Sequence, residues 1–258
     1  MDALIGHTGF VGSNLANQHK FPALFNSTNI EEMRGGTFDS VVCAGIQAKK
    51  WWANQNPEAD WTAIQKLLGV LGTVQAGRFI LVSTVDVYPA PFRVTEATPI
   101  TGENHAYGKH RYAAEEFVRE RFPGSLVLRL PGLFGHGLKK NVIYDLLHNN
   151  CLEQINPEGV FQYYLLDHLW KDIEQGLATN LPLLNIATEP VKTADILHDY
   201  FPHQRARVGP SKPFTVNYDM RTEHADLWNS SAEGYLYDRQ TTLREIGEFV
   251  AQHQGAAK

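Results

Sequence analysis

A phosphate cradle is written into residues 6 to 12. Gly6, Gly9 and Gly12 stand three apart in Gly6-His7-Thr8-Gly9-Phe10-Val11-Gly12, directly behind the apolar run Ala3-Leu4-Ile5. A strand that breaks into such a turn and opens a helix presents backbone N–H groups to an anion, and the helix N-terminus adds partial positive charge there. Gly6 permits the tight turn, Gly9 lets the backbone approach a pyrophosphate, and Gly12 lets the helix pack closely on the strand. The same spacing occurs in ordinary turns, but its place on the first strand is what a dinucleotide site requires. About twenty residues beyond the first glycine such a site places an acid for the adenosine 2′-hydroxyl. Here the segment is Phe25-Asn26-Ser27-Thr28-Asn29, with no acid. An acid would repel a 2′-phosphate, so the segment leans toward NADP, with NAD still open. Asn26, Ser27, His7 and Arg34 are the candidate phosphate donors.

Two further places carry side chains suited to proton chemistry. Thr84 follows the apolar run Phe79-Ile80-Leu81-Val82-Ser83, and the C-terminal ends of strands are where open α/β sheets receive ligands. A threonine there also bonds its own backbone, which is the plainer role. Tyr107 and Arg111 are four residues apart in a helical stretch and share a face. A free phenol ionises at about pH 10, so it serves as a base near neutrality only when its environment lowers that value.

The elements that must position these groups alternate. Ala3–Ile5, Ala23–Phe25, Ser40–Ala44, Phe79–Ser83 and Ser125–Leu130 read as strands, the third apolar throughout, as a strand buried on both faces is. A long helix carries Ile64, Leu67, Leu68, Leu71 and Val74 on one stripe. Another runs from about His105 to Arg121 and is stopped by Pro123-Gly124. The helix behind the cradle shows a short apolar face of Val11, Leu15 and Ala16. The second half is less regular: helices over 141–148 and 165–177, a strand at Leu183–Ile186, no clean period over 197–230, and a closing amphipathic helix from Thr241 to His253. Gly255 to Lys258 reads as a frayed end. This alternation predicts a Rossmann-type, doubly wound α/β fold with a parallel sheet and a smaller C-terminal substrate lobe. The dinucleotide-binding domain is assigned to 1–132 and 160–190, and the lobe to 133–159 and 191–258. The stretch from Asn26 to Asp39 is short, so the second crossover is expected to be abbreviated.

Composition narrows the function classes. A chain of 258 residues suits one large α/β domain or a nucleotide domain with a smaller lobe, and a formal charge of -5 argues against a broad nucleic-acid surface. No apolar run is long enough to span a bilayer, and no basic segment precedes an apolar one at the start, so the expected compartment is the cytoplasm. Cys43 and Cys151 are the two cysteines, which suits a reducing compartment. His198 and His203 flank Asp199 without a third ligand, so no metal site is expected. Trp51, Trp52 and Trp61 would stack on a sugar or base, or more simply plug a domain edge.

Four segments, in their order and spacing, resemble the extended short-chain dehydrogenase/reductase family, which includes nucleotide-sugar epimerases, dehydratases and reductases. They are the glycine cradle, Val82-Ser83-Thr84-Val85-Asp86-Val87-Tyr88, Tyr107-Gly108-Lys109-His110-Arg111, and Arg129-Leu130-Pro131-Gly132-Leu133-Phe134-Gly135. Leu166-Asp167-His168-Leu169 is similar to a later family segment. The resemblance covers most of the chain and is strongest over 1–195.

The resemblance implies an NAD(P) cofactor held by Gly6, Thr8, Gly9, Phe10, Val11, Gly12, Asn26, Ala44, Gly45, Ser83 and Pro131. It implies Tyr107 as acid/base and Thr84 as hydrogen-bond donor to the reacting oxygen. Four residues beyond the tyrosine the family has a lysine, which acidifies the phenol and bonds the nicotinamide ribose. Here that residue is Arg111, which keeps the charge but does not release a proton. Lys109, two positions along, points to a different side. The implied reaction is hydride transfer at a carbinol or ketone carbon of a sugar-like substrate, nucleotide-linked or free, by a reductase or an epimerase. A dehydratase ranks last, because Val85-Asp86 does not reproduce the acidic pair of those enzymes. Arg205, Arg207, Lys212 and Arg221 lie where the family binds a nucleotide diphosphate, and equally suit a solvated basic face. The resemblance also implies a homodimer face on the helices containing 57–75 and 105–121. The competing reading is a non-catalytic NAD(P)-binding sensor or scaffold, with Arg111 as its main support.

Overall fold

The computed structural model describes residues 1–209 and 216–255, so Lys212 and the end of the chain beyond 255 lie outside the described residues. Along the chain the elements are β1 (Asp2–Ile5), α1 (Phe10–Gln18), β2 (Ala23–Phe25), β3 (Thr37–Cys43), α2 (Lys50–Gln55), α3 (Pro57–Leu71), β4 (Gln75–Thr84), β5 (Phe92–Val94) and α4 (Ala106–Arg121). They continue with β6 (Leu126–Leu130), β7 (Gly132–Phe134), α5 (Val142–His148), β8 (Val160–Phe161), β9 (Tyr163–Leu165) and α6 (Leu169–Ala178). The last are β10 (Leu183–Asn185), β11 (Val191–Lys192), α7 (Thr193–Tyr200), β12 (Asp219–Met220) and α8 (Arg239–Gly255).

Six strands form one parallel sheet in the order β10-β6-β4-β3-β1-β2. The chain winds from β1 to β2 on one side and then crosses to β3 on the other. The loops after β1 and β3 therefore diverge at a topological switch point, where such sheets bind ligands. The connection from β2 to β3 holds only a four-residue 3-10 turn, Ile30–Met33, in place of a full crossover helix. Both edge strands, β2 and β10, are three residues long, and each follows a proline, Pro22 and Pro182.

Burial explains why these segments are strands. All five residues of β6 are buried, and β3 alternates at its start and is then buried continuously from Ser40 to Cys43. That is the pattern of strands covered by helices on both faces. α3 opens with Pro57 and carries Glu58 and Asp60 in its first turn, where acids favour the helix dipole. Its Ile64, Leu67, Leu68 and Leu71 enter the core with Val41, Phe79, Val118 and Phe122. α4 ends on Arg121, whose guanidinium donates to the carbonyls of Gly72 and Val74. In α1 the buried residues are Gly12, Asn14 and Leu15; Ala16, expected on its apolar face, is exposed.

Two compact units result. The first comprises 1–90, 98–130 and 166–185, and contains the whole parallel sheet. The second comprises 91–97, 131–165 and the chain from 186 onward. Its core gathers Phe134, Ile143, Leu146, Phe201, Ile246 and Phe249. Its strands form pairs: β5 with β12 and β7 with β9 in parallel, β8 with β11 antiparallel. The aperiodic stretch 197–230 contains the end of α7, two 3-10 turns and β12.

Candidate active site

The glycine turn is built for close approach. Gly6 has a φ of 88°, and a Cβ on it would fall 2.4 Å from the Ala44 carbonyl oxygen. A Cβ on Gly12 would fall 2.1 Å from the Gly6 carbonyl oxygen. Neither position accepts a side chain, so α1 is drawn tight against β1 and the turn lies against Ala44-Gly45 at the end of β3. Gly9 is different: it is exposed, and a Cβ there would meet only the Gly6 oxygen, at 3.2 Å. It caps α1 with no side-chain hydrogen bond, and the first turn of the helix holds no acid. The positive end of the helix is left for an external anion, so Gly6, Thr8, Gly9, Phe10, Val11 and Gly12 fit a pyrophosphate.

Asn26, at the end of β2, is largely committed to its own loop. Its side-chain oxygen accepts from the Thr28 amide and hydroxyl at 2.8 and 2.6 Å, and its amide nitrogen lies 3.3 Å from His7 Nε2. Asn26 thus braces its own loop, while Ser27 beside it is exposed. Arg34 is held elsewhere, on Glu31 at 2.5 Å and on the Gly69 carbonyl at 2.9 Å.

Thr84 and Tyr107 meet at the end of β4. The Thr84 hydroxyl lies near enough to the Tyr107 phenol to favour its ionised form, and it accepts the Asp86 amide at 3.2 Å. Three residues set the start of α4 against this turn. Asn54 of α2 accepts the Tyr107 amide at 3.0 Å, and His105 Nδ1 accepts the Gly108 amide at 3.0 Å. Gly108 lies so close that a Cβ would fall 2.1 Å from the Asp86 carbonyl oxygen. A helix-interior glycine costs about 1 kcal/mol relative to alanine; here it allows the contact that brings phenol and hydroxyl together.

Arg111 is held by more partners than its spacing suggests. It does share the Tyr107 face of α4, with its guanidinium carbon 4.0 Å from the ring centroid. But the group is 3% exposed and makes a forked pair with Asp60 of α3, at 2.5 and 2.9 Å. It also donates to the carbonyl of Gln47 and, at 3.4 Å, to that of Tyr107. Its Nε is buried with no hydrogen-bond partner among the described residues. The guanidinium is thus not free to reach a ribose, and Asp60 offsets its charge. The phenol is accordingly not acidified. Burial pushes Tyr107 above its ordinary value and Asp86 adds to this, while Arg111, the nearby Thr84 hydroxyl and Lys50 pull down without overcoming it.

Ser83 faces away from Thr84. Adjacent residues of a strand face opposite sides, and the Ser83 hydroxyl donates to buried Glu115 at 2.5 Å rather than joining Thr84. Glu115 also takes Arg129 Nε at 3.0 Å, Arg129 Nη2 at 2.6 Å and Arg119 at 2.7 Å, and Arg129 donates to Tyr88 at 2.7 Å. Ser83 is a structural partner of that network. Pro131 follows β6 directly and opens the second unit's segment. Trp51 is exposed and Trp61 packs half-buried on the core. No group of three metal-binding side chains occurs among the described residues.

Sequence reasoning did not single out Lys50, Asn54, Asp60, Asp86 or His105. Asp60 had a signal: it stands on the same stripe as Ile64, Leu67 and Leu71, and a charge on a buried stripe needs a partner. Lys50, Asn54, Asp86 and His105 had none in spacing alone.

No protein-family model matches the chain, and no curated protein matches it in sequence. Solved structures do match. The chain is similar to a UDP-glucose 4-epimerase of Thermotoga maritima, solved with UDP-glucose, at 18% identity and a TM-score of 0.73, covering 100% of both chains. It is similar to a dTDP-4-dehydrorhamnose reductase of Clostridium acetobutylicum at 14% identity and a TM-score of 0.71, covering 98% of this chain and 100% of that one. A third is RMD from Pseudomonas aeruginosa, complexed with NADPH, at 16% identity and a TM-score of 0.67, covering 97% and 99%. The chain shares their fold. It is a Rossmann-type α/β fold. No helix among the described residues is long and apolar enough to cross a membrane.

Proposed function

We propose that the protein is an NAD(P)-dependent oxidoreductase that reduces a ketone carbon on a sugar-like, nucleotide-linked substrate. One observation carries this reading: the Thr84 hydroxyl lies near the Tyr107 phenol at a strand end, in the same unit as a glycine turn whose Gly6 and Gly12 leave no room for a Cβ. The fold-sharing enzymes act on nucleotide sugars, and the Pseudomonas structure holds NADPH. The bound cofactor would supply the hydride and accept or release it at the nicotinamide. The chain's own residues manage the proton. Tyr107, kept protonated by burial, donates its phenolic proton to the substrate oxygen as the carbon is reduced, and Thr84 donates a hydrogen bond to the same oxygen. Burial keeps the phenol in the protonated form from which a proton donor starts. The missing acid after β2 supports NADP as the preferred form.

NADPH oxidation measured against a panel of nucleotide-linked ketosugars and simple ketones tests the reading. Tyr107→Phe is expected to lower kcat by about 10²- to 10⁴-fold with the fold intact. Cofactor binding without turnover of any ketone, and no effect of Tyr107→Phe, would instead favour the sensor reading.

A further inference from the structure

The helix that carries Tyr107 is capped by a histidine. His105 is the N-cap of α4, and its Nδ1 accepts the Gly108 amide at 3.0 Å. Side-chain oxygens of Ser, Thr, Asn or Asp usually fill that position. A hydroxyl or amide oxygen accepts whatever the pH, whereas a ring nitrogen accepts only while it carries no proton. The cap therefore requires the neutral ring with its hydrogen on Nε2.

This cap is tied to the turn that Thr84 opens. The Asn104 side-chain oxygen accepts the His105 amide at 2.8 Å. Its amide nitrogen donates to the carbonyls of Asp86 and Val87 at 2.9 and 3.0 Å. Both belong to the 3-10 turn Val85–Val87, which the Thr84 side chain caps. Gly108 closes the arrangement, since a Cβ on it would fall 2.1 Å from the Asp86 carbonyl oxygen and 2.4 Å from the Asn104 amide nitrogen. Tyr107 stands between the capping ring and the amide it caps, with its ring centroid 6.3 Å from that of His105.

We propose that His105 is a positioning residue for Tyr107 that works only as a neutral ring: a proton on Nδ1 turns the acceptor into a donor, releases the Gly108 amide and loosens the first turn of α4 from the turn that carries Thr84. The proposal rests on the reading of Tyr107 as the acid, yet it is tested without cofactor or substrate. The charged groups around the ring are Lys50 from α2, Asp86 from the turn after β4 and Arg111 from α4. Burial first, then Lys50 and Arg111, hold the ring below its ordinary value, against Asp86 and the residue's own backbone. The positive end of α4 acts in the same sense, because an imidazolium there meets charge of its own sign. The cap is therefore complete above about pH 6.5 and is lost as pH falls through the lowered folded value. Asn54 still accepts the Tyr107 amide, so the helix persists and only its first turn loosens.

Two variants separate the cap from the charge. His105→Asn keeps a capping oxygen that does not titrate, and His105→Ala has neither cap nor charge. With 3-fluorotyrosine in place of Tyr107 in the full chain, the parent fluorine resonance should step as pH falls through the His105 midpoint. Neither variant should show the step. At neutral pH the two variants should differ from each other in the direction of the parent's step and by a similar size. The Gly108 amide should exchange about fivefold faster in His105→Ala than in His105→Asn. Nitrogen NMR of the neutral ring should find the hydrogen on Nε2. A parent without the step overturns the proposal. So do coincident fluorine shifts in the two variants beside a parent that steps, because the imidazolium charge would then act directly and the cap would move nothing. A neutral ring protonated on Nδ1 overturns it as well. Calorimetric NADPH binding to the parent reads the oxidoreductase assignment separately: the expected fluorine pattern without NADPH binding breaks that assignment alone.

Discussion

Helix α4 contributes one partner to each of two buried arginine–carboxylate pairs, and the two are built differently. Arg129 of β6 and Glu115 of α4 sit 2% and 0% exposed. All three nitrogens of Arg129 have partners, and Glu115 accepts from Ser83, Arg129 and Arg119. One turn earlier, Arg111 and Asp60 are equally buried, yet Arg111 keeps an unpartnered Nε and a ring contact with Tyr107. The first pair satisfies its polar atoms and locks helix to sheet. The second leaves one atom unsatisfied and holds an aromatic ring. The incomplete pair is the one beside the candidate chemistry, which is where a fold tolerates imperfect satisfaction.

Breaking each pair should expose the difference. Glu115→Ala strands Arg129 with only the Tyr88 hydroxyl and is expected to cost about 3–5 kcal/mol in chemical denaturation. Asp60→Ala should cost less, about 2–3 kcal/mol, because Arg111 keeps two backbone carbonyls. This pair also has a pH signature. Burial alone would raise the Asp60 carboxyl, but hydrogen bonds and charge from Arg111 and His110 hold it below the ordinary value. Its contribution is therefore complete above about pH 4 and is lost as pH falls through the lowered folded value. An Asp60→Asn stability curve should be flatter than the parent's in that acid window. Arg111→Lys loses the fork but keeps the charge, and about 1–2 kcal/mol of stability is expected to go. The smallest expected effect is Ser83→Ala, about 1 kcal/mol, since Glu115 retains its other donors. Loss of NADPH turnover from Ser83→Ala at unchanged stability would reverse the assignment of that hydroxyl to the structural network.

Much of the first unit was legible because its signals are local. The glycine spacing, the apolar runs of β3 and β4 and the stripe of α3 each declare an element by composition and period. The pairing of Thr84 with Tyr107 was suggested only by the resemblance of their segments, since no local period joins them. What the arginine does was not, because the role of Arg111 is set by Asp60, fifty-one positions away in sequence. Ser83 misled for a related reason: it adjoins Thr84 in sequence but faces the other side of the strand. In the second unit, β8, β11 and β12 are two residues long, too short for any period to show. The helix α7 was hidden because its eight residues run directly on from β11.

The two sheet edges have a consequence for how copies of this protein can associate. A long bare edge strand invites another chain to pair with it, which is a route to aggregation. β2 and β10 each offer three residues, and the proline before each lacks the donor needed to lengthen the ladder. The sheet therefore ends in two blunt margins that make poor templates for a further strand.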